Sequence, residues 1–85
     1  MTHPETPPKA DDLLRRGIDA AQSGDRTTAR HLLEQALQID ERSEKAWFWL
    51  AAVVDSVDEK RICLGNVIMI NPLNDRARRL LEQLE

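Results

Sequence analysis

The sequence predicts an all-α domain of five helices, and three observations carry that reading. Apolar residues recur at three- and four-residue spacing across residues 10–84. No stretch shows the period-two alternation of a half-buried strand. Helix-capping residues stand between the periodic segments, so the connections are only a few residues long. With 85 residues, 41% hydrophobic and 32% charged, the chain is too apolar to be disordered and too short for two domains.

Residues 1–9 carry Pro4, Pro7 and Pro8 and almost nothing to bury, which predicts a disordered leader before a single helical domain over residues 10–84. The first helix is expected from Ala10 to Ser23, with Leu13, Leu14, Gly17, Ile18 and Ala21 on one stripe. Gly24 ends it in a left-handed conformation, since it has no Cβ to clash. Asp25 then caps a second helix over Arg26–Asp40. Its buried side is Ala29, Leu32, Leu33, Ala36, Leu37 and Ile39, and its polar side His31, Glu34, Gln35 and Gln38.

Ser43 caps a third helix, Glu44–Asp55, which contains the uncharged run of residues 46–54. That run holds both tryptophans and the only phenylalanine. Apolar nearly all round, it reads as the central helix against which the others pack. Ser56-Val57-Asp58-Glu59 has capping-box spacing: the serine accepts from the Glu59 amide while the Glu59 carboxylate reaches back. The fourth helix therefore runs from about Val57 to Ile70. Asn71-Pro72 stops it, because proline lacks an amide and disfavours a helical residue before it. The fifth, Asn74 to Leu84, turns Ala77, Leu80, Leu81 and Leu84 inward and Arg76, Arg79 and Gln83 outward.

Composition excludes several classes of function. A net charge of −3 argues against nucleic-acid binding, and Arg76, Arg78 and Arg79 lie beside Glu82 and Glu85. A helix-turn-helix reading needs a basic recognition helix, and the fourth helix offers just Lys60 and Arg61. Residues 46–54 fall far short of the roughly 18 apolar residues that suggest a membrane span. The N-terminus has acid and proline where a signal peptide has a basic start and an apolar run. Cys63 is alone and lies in an apolar run, so a buried, inert thiol in a reducing cytoplasm is expected. His31 has no second ligand nearby. With no histidine–acid pair, phosphate loop or metal-ligand spacing, the chain is expected to be no enzyme and to carry no cofactor or metal.

The chain also matches itself. Shifted by 31 residues, Leu33, Ile39, Asp40, Ser43 and Ala46 fall on Leu64, Ile70, Asn71, Asn74 and Ala77. Shifted by 34, Leu13, Leu14, Gly17 and Ala20 fall on Trp47, Phe48, Ala51 and Val54. With Gly17, Gly24-Asp25, Ala29, Leu33 and Ala36 in one unit, and Trp47, Leu50, Ala51 and Asn71-Pro72 in the next, the chain resembles the tetratricopeptide repeat family. It departs from the family at Arg16, Ala20, Glu41 and Lys60, and the second unit is three residues short near Asp55-Ser56. The resemblance is to a degenerate member of two and a half repeats. It implies a five-helix right-handed α–α superhelix segment, built of helical hairpins plus a C-terminal capping helix.

The resemblance further implies a protein-interaction scaffold that binds a peptide or partner helix in a groove between the first and third helices. Carried over by position, that groove is lined by Leu14, Ile18, Lys45, Phe48, Trp49 and Ala52, with Asp11, Ala21, Gln22 and Asp55 at its edges. The lysines and asparagines with which some members clamp acidic peptide tails have no counterpart at Leu14, Ile18 or Ala52.

The units differ on their outer side. His31, Glu34, Gln35 and Gln38 of the second helix become Ile62, Gly65, Asn66 and Met69 of the fourth. Gly65 weakens a helix interior by roughly 1 kcal/mol relative to alanine, so a close contact there should offset it. Either two copies of the chain associate weakly through Ile62, Gly65, Asn66 and Met69, or the short turn rotates the helix and buries this face internally. Trp49 and Val53 pose the same choice in the third helix, where burial is the favoured reading for Trp49 and the exposure of Val53 stays open.

Overall fold

The computed structural model describes residues 8–84. They form five helices and, among the described residues, no strand: α1 (Pro8–Gln22), α2 (Arg26–Ile39), α3 (Glu44–Val53), α4 (Val57–Ile70) and α5 (Asp75–Gln83). Neighbours in the chain pack antiparallel, and α1 also touches α3. α1 begins at Pro8, inside the expected leader, because the first helical position needs no amide hydrogen bond. Residues 1–7 of that leader lie outside the described residues.

The α1–α2 turn closes as the sequence predicts. Gly24 has φ +86°, the Asp25 amide donates to the Ala20 carbonyl at 2.9 Å, and the Gly24 amide to Ala21 at 3.2 Å. These two bonds satisfy carbonyls left open by the end of α1. Asp25 then accepts from the Thr28 amide at 3.2 Å and caps α2. Gly17 explains how closely the two helices approach. A Cβ built there would lie 2.9 Å from Cγ and Cδ2 of Leu33, a side chain with no exposed surface.

The turns entering α3 and α5 are copies of one another, 31 residues apart in sequence. Asp40 and Asn71 take φ/ψ of −136/88° and −137/91°. Each accepts, through its side chain, the amide two residues on, Arg42 and Leu73. Ser43 and Asn74 then cap α3 and α5 through the Ala46 and Ala77 amides. Two side-chain amides, Asn71 and Asn74, donate to Glu44 Oε2 at 3.1 and 2.7 Å, tying the start of α3 to the second turn.

The α3–α4 turn is different. α3 ends at Val53, two residues before the expected Asp55, because Val54 is extended with ψ 159°. Arg26, at the start of α2, supplies what the short turn lacks. Its guanidinium donates to the Val53 and Val54 carbonyls at 3.3 and 3.1 Å and meets Asp55 at 3.2 Å. Ser56 caps α4 through the Glu59 amide at 3.0 Å. The reciprocal half of the capping box is altered: Glu59 Oε1 accepts from the Ser56 hydroxyl at 3.4 Å. Arg30 holds the other oxygen, Oε2, and also pairs with Glu34 at 3.0 Å. This pairing joins α2 to α4 and places the Glu59 carboxyl below its ordinary pKa, with the Arg30 hydrogen bond the largest cause.

The core runs through Leu33, Leu37, Leu50, Ala51, Val53, Val54, Cys63, Leu64 and Val67, and ends at Ala77. Val53 is thus core, which settles the choice left open for it. Burial pushes the Cys63 thiol up to about 11, so it is protonated and unreactive at neutral pH. Two expectations of burial fail at helix ends. Ile39, in the last turn of α2, is exposed, and on α5 only Ala77 is fully buried. Leu80 is 37% exposed, because α5 packs chiefly against α4 and meets α3 only around Phe48 and Glu44.

Candidate functional site

The gap between α3 and α5 holds two hollows that share Phe48. The first, of about 310 Å³, is lined by Phe48, Ala51, Ala52, Leu64, Leu80 and Leu84, with Lys60 and Gln83 at its rim. The second, of about 180 Å³, is lined by Glu44, Lys45, Phe48, Trp49, Asn74 and Arg76. α3 places Phe48 between them because Trp47, Leu50 and Val54 lie on the stripe that faces α2 and α4, with Ala51 at its edge toward the first hollow. Phe48 and Ala52, one helical turn apart, are left on the open side.

The structure separates the six residues of the expected groove. Lys45, Phe48, Trp49 and Ala52 lie together on these hollows. Leu14 and Ile18 are half-buried on the α1 side, Leu14 against the core; α4 and α5 complete the first hollow, Asn74 and Arg76 the second, and α1 lines neither. Trp49 is half-buried, between core and solvent. Arg76, Leu80 and Leu84 are among the lining residues missing from the expected groove. A signal for them was present: the 31-residue shift carries Lys45 onto Arg76, Trp49 onto Leu80 and Val53 onto Leu84.

The electrostatics of the smaller hollow are uneven. The Arg76 guanidinium carbon sits 5.5 Å from the centre of the Phe48 ring, a cation–π arrangement. Glu44, in the same hollow, has one oxygen occupied by the two asparagine amides. Lys45, Lys60 and Arg76 have no ion-pair partner among the described residues, whereas Arg16, Arg26, Arg30, Arg61 and Arg78 each have one.

The outer side of α4 is a second candidate surface. Ile62 and Met69 are 63% and 80% exposed, so the turn does not rotate this face into the core. A Cβ on Gly65 would meet nothing within 4 Å, so no helix of this chain approaches it. Asn66 is half-buried and lies with Met69, Ile70 and Trp47 around a shallow hollow edged by Glu41 and Arg42. Trp47 Nε1 is satisfied by the Glu41 carbonyl at 2.9 Å.

Among the described residues no three His, Cys, Asp or Glu side chains gather as a metal site, and no helix is long and apolar enough to cross a membrane. Neither a family model, nor a curated protein, nor a solved structure matches the chain, so the surface around Phe48 has to be read from its own chemistry.

Proposed function

We propose that this chain is a non-enzymatic protein–protein interaction module, a tetratricopeptide-like array of two and a half units that holds a peptide or helix of a partner protein. The repeat reading draws support from the two turns with the same cap bonds and backbone angles. The observation that carries the binding reading is Phe48, the shared wall of two open hollows beside α3. An aromatic side chain held in place at the edge of an apolar hollow suits the anchoring of a partner segment. The groove is then centred between α3 and α5 on Lys45, Phe48, Trp49 and Ala52, with Leu14 and Ile18 as its α1 flank. A reducing, cytoplasmic setting suits the free thiol of Cys63.

Capture from the native cell extract on the immobilised chain, followed by mass spectrometry, tests this function. The expected result is a partner retained by the wild type and lost with Phe48→Ser, a variant that stays helical by circular dichroism. Retention unaffected by Phe48→Ser removes the groove from the account.

A second reading is weak self-association through α4, favoured by the exposure of Ile62 and Met69 with open space above Gly65. It predicts a concentration-dependent dimer in sedimentation that is lost with Ile62→Ser/Met69→Ser. A strict monomer at every concentration eliminates it.

A further inference from the structure

Resting on the reading of the Phe48 surface as a docking site, we propose the chemistry of its occupant: a peptide segment carrying a bulky aliphatic side chain next to a carboxylate. The two hollows differ in what they can satisfy, and Phe48 sets them side by side. The larger is walled by Phe48, Ala52, Leu64, Leu80 and Leu84, and nothing but an apolar group gains from leaving water there. Leu80 is the informative residue, because it lies at the edge of this hollow with more than a third of its surface in water. The smaller hollow offers a cation, Arg76, that has no ion-pair partner among the described residues. The Arg76 guanidinium carbon lies 5.5 Å from the centre of the Phe48 ring, an attraction that restrains the side chain while its N–H donors stay available. A restrained guanidinium binds a carboxylate through two parallel N–H···O bonds and loses less side-chain freedom in doing so.

Charge complementarity selects an anionic partner. The two hollows together carry three cations, Lys45, Lys60 and Arg76, against one anion, Glu44, on a chain whose net charge is −3. Glu44 is itself engaged by Asn71 and Asn74 and does not pair with Arg76. The local excess of positive charge therefore runs against the sign of the whole molecule. It favours a segment whose acidic group reaches Arg76 and Lys45 while its aliphatic group enters the larger hollow.

Selection of short random peptides displayed on phage, against the full wild-type chain and against Arg76→Gln and Phe48→Ala, tests the proposal. The expected result is enrichment of peptides that place Asp or Glu within a few positions of Leu, Ile or Met. Against Arg76→Gln the acidic preference should vanish while the aliphatic preference remains. A synthetic copy of the best peptide should bind about tenfold more weakly when its acid is changed to the amide, with affinity falling as salt rises. Peptides that need Phe48 but show no acidic preference, or show the same preference against Arg76→Gln, overturn the proposed chemistry and leave the docking site standing. No enrichment at all, or enrichment indifferent to Phe48→Ala, overturns both.

Discussion

The α1/α2 hairpin and the α4/α5 end of the chain are both antiparallel helix pairs, yet one is closed and the other open. At the closed end Gly17 admits Leu33 to a distance no Cβ would allow, and Gly24 and Asp25 seal the turn. At the open end Gly65 faces empty space, Met69 lies in water, and α5 leans chiefly on α4, leaving hollows between itself and α3. Small and apolar residues at the first end are used up by the chain's own packing. At the second end they are not, and that is where a partner has something to gain.

Substitutions at the two glycines and at the turn that divides the units break or sharpen this contrast. Gly17→Ala should lower stability by about 1–3 kcal/mol in urea titration, although alanine is the better helix former, because Leu33 has no room to yield. A neutral result would mean that the hairpin is less tightly closed than described. Arg26→Ala removes the donor that satisfies the Val53 and Val54 carbonyls, and should cost about 1 kcal/mol, solvent exposure of the guanidinium reducing the loss. Gly65→Ala should raise stability by roughly 0.5–1 kcal/mol, the opposite sign to Gly17→Ala, since helix propensity improves and nothing is displaced. Loss of stability there would reveal a contact on the outer side of α4.

The smallest effect belongs to pH. The folded-state pKa of Glu59 is depressed below its ordinary 4.5, chiefly by Arg30. Its contribution is therefore fully present above that ordinary value and lost as pH falls through the lower folded value. Glu59→Gln should flatten the acid limb of a stability-against-pH curve and leave the slope above neutrality unchanged.

Most of the fold was legible because its signals are local. The apolar spacing, Gly24 with Asp25, Ser43, Ser56 and Asn71-Pro72 each specify a helix or its end through a bond or steric limit within a few residues. The departures came from contacts between distant residues. Nothing near Val54 announces that Arg26, 28 residues earlier, will take its carbonyl, and nothing near Glu59 announces that Arg30 will claim an oxygen expected to turn back to Ser56. The candidate site was half legible for the same reason. Phe48, Trp49, Lys45 and Ala52 sit on one helix face and could be read together. Arg76 and Leu80 join them from α5; the 31-residue shift aligns them with Lys45 and Trp49, but the placement of α5 against α3 is a result of packing angles that periodicity does not encode.

Hydrogen–deuterium exchange on the full chain, free and with the partner retained from the native extract, tests the central claim most directly. Slowed exchange over residues 45–52 and 76–84, with α1 unchanged, is the predicted outcome. Protection confined to residues 11–22 or to residues 62–69 would contradict the account, because the partner would then lie on α1 or the outer side of α4 and not on the Phe48 hollows.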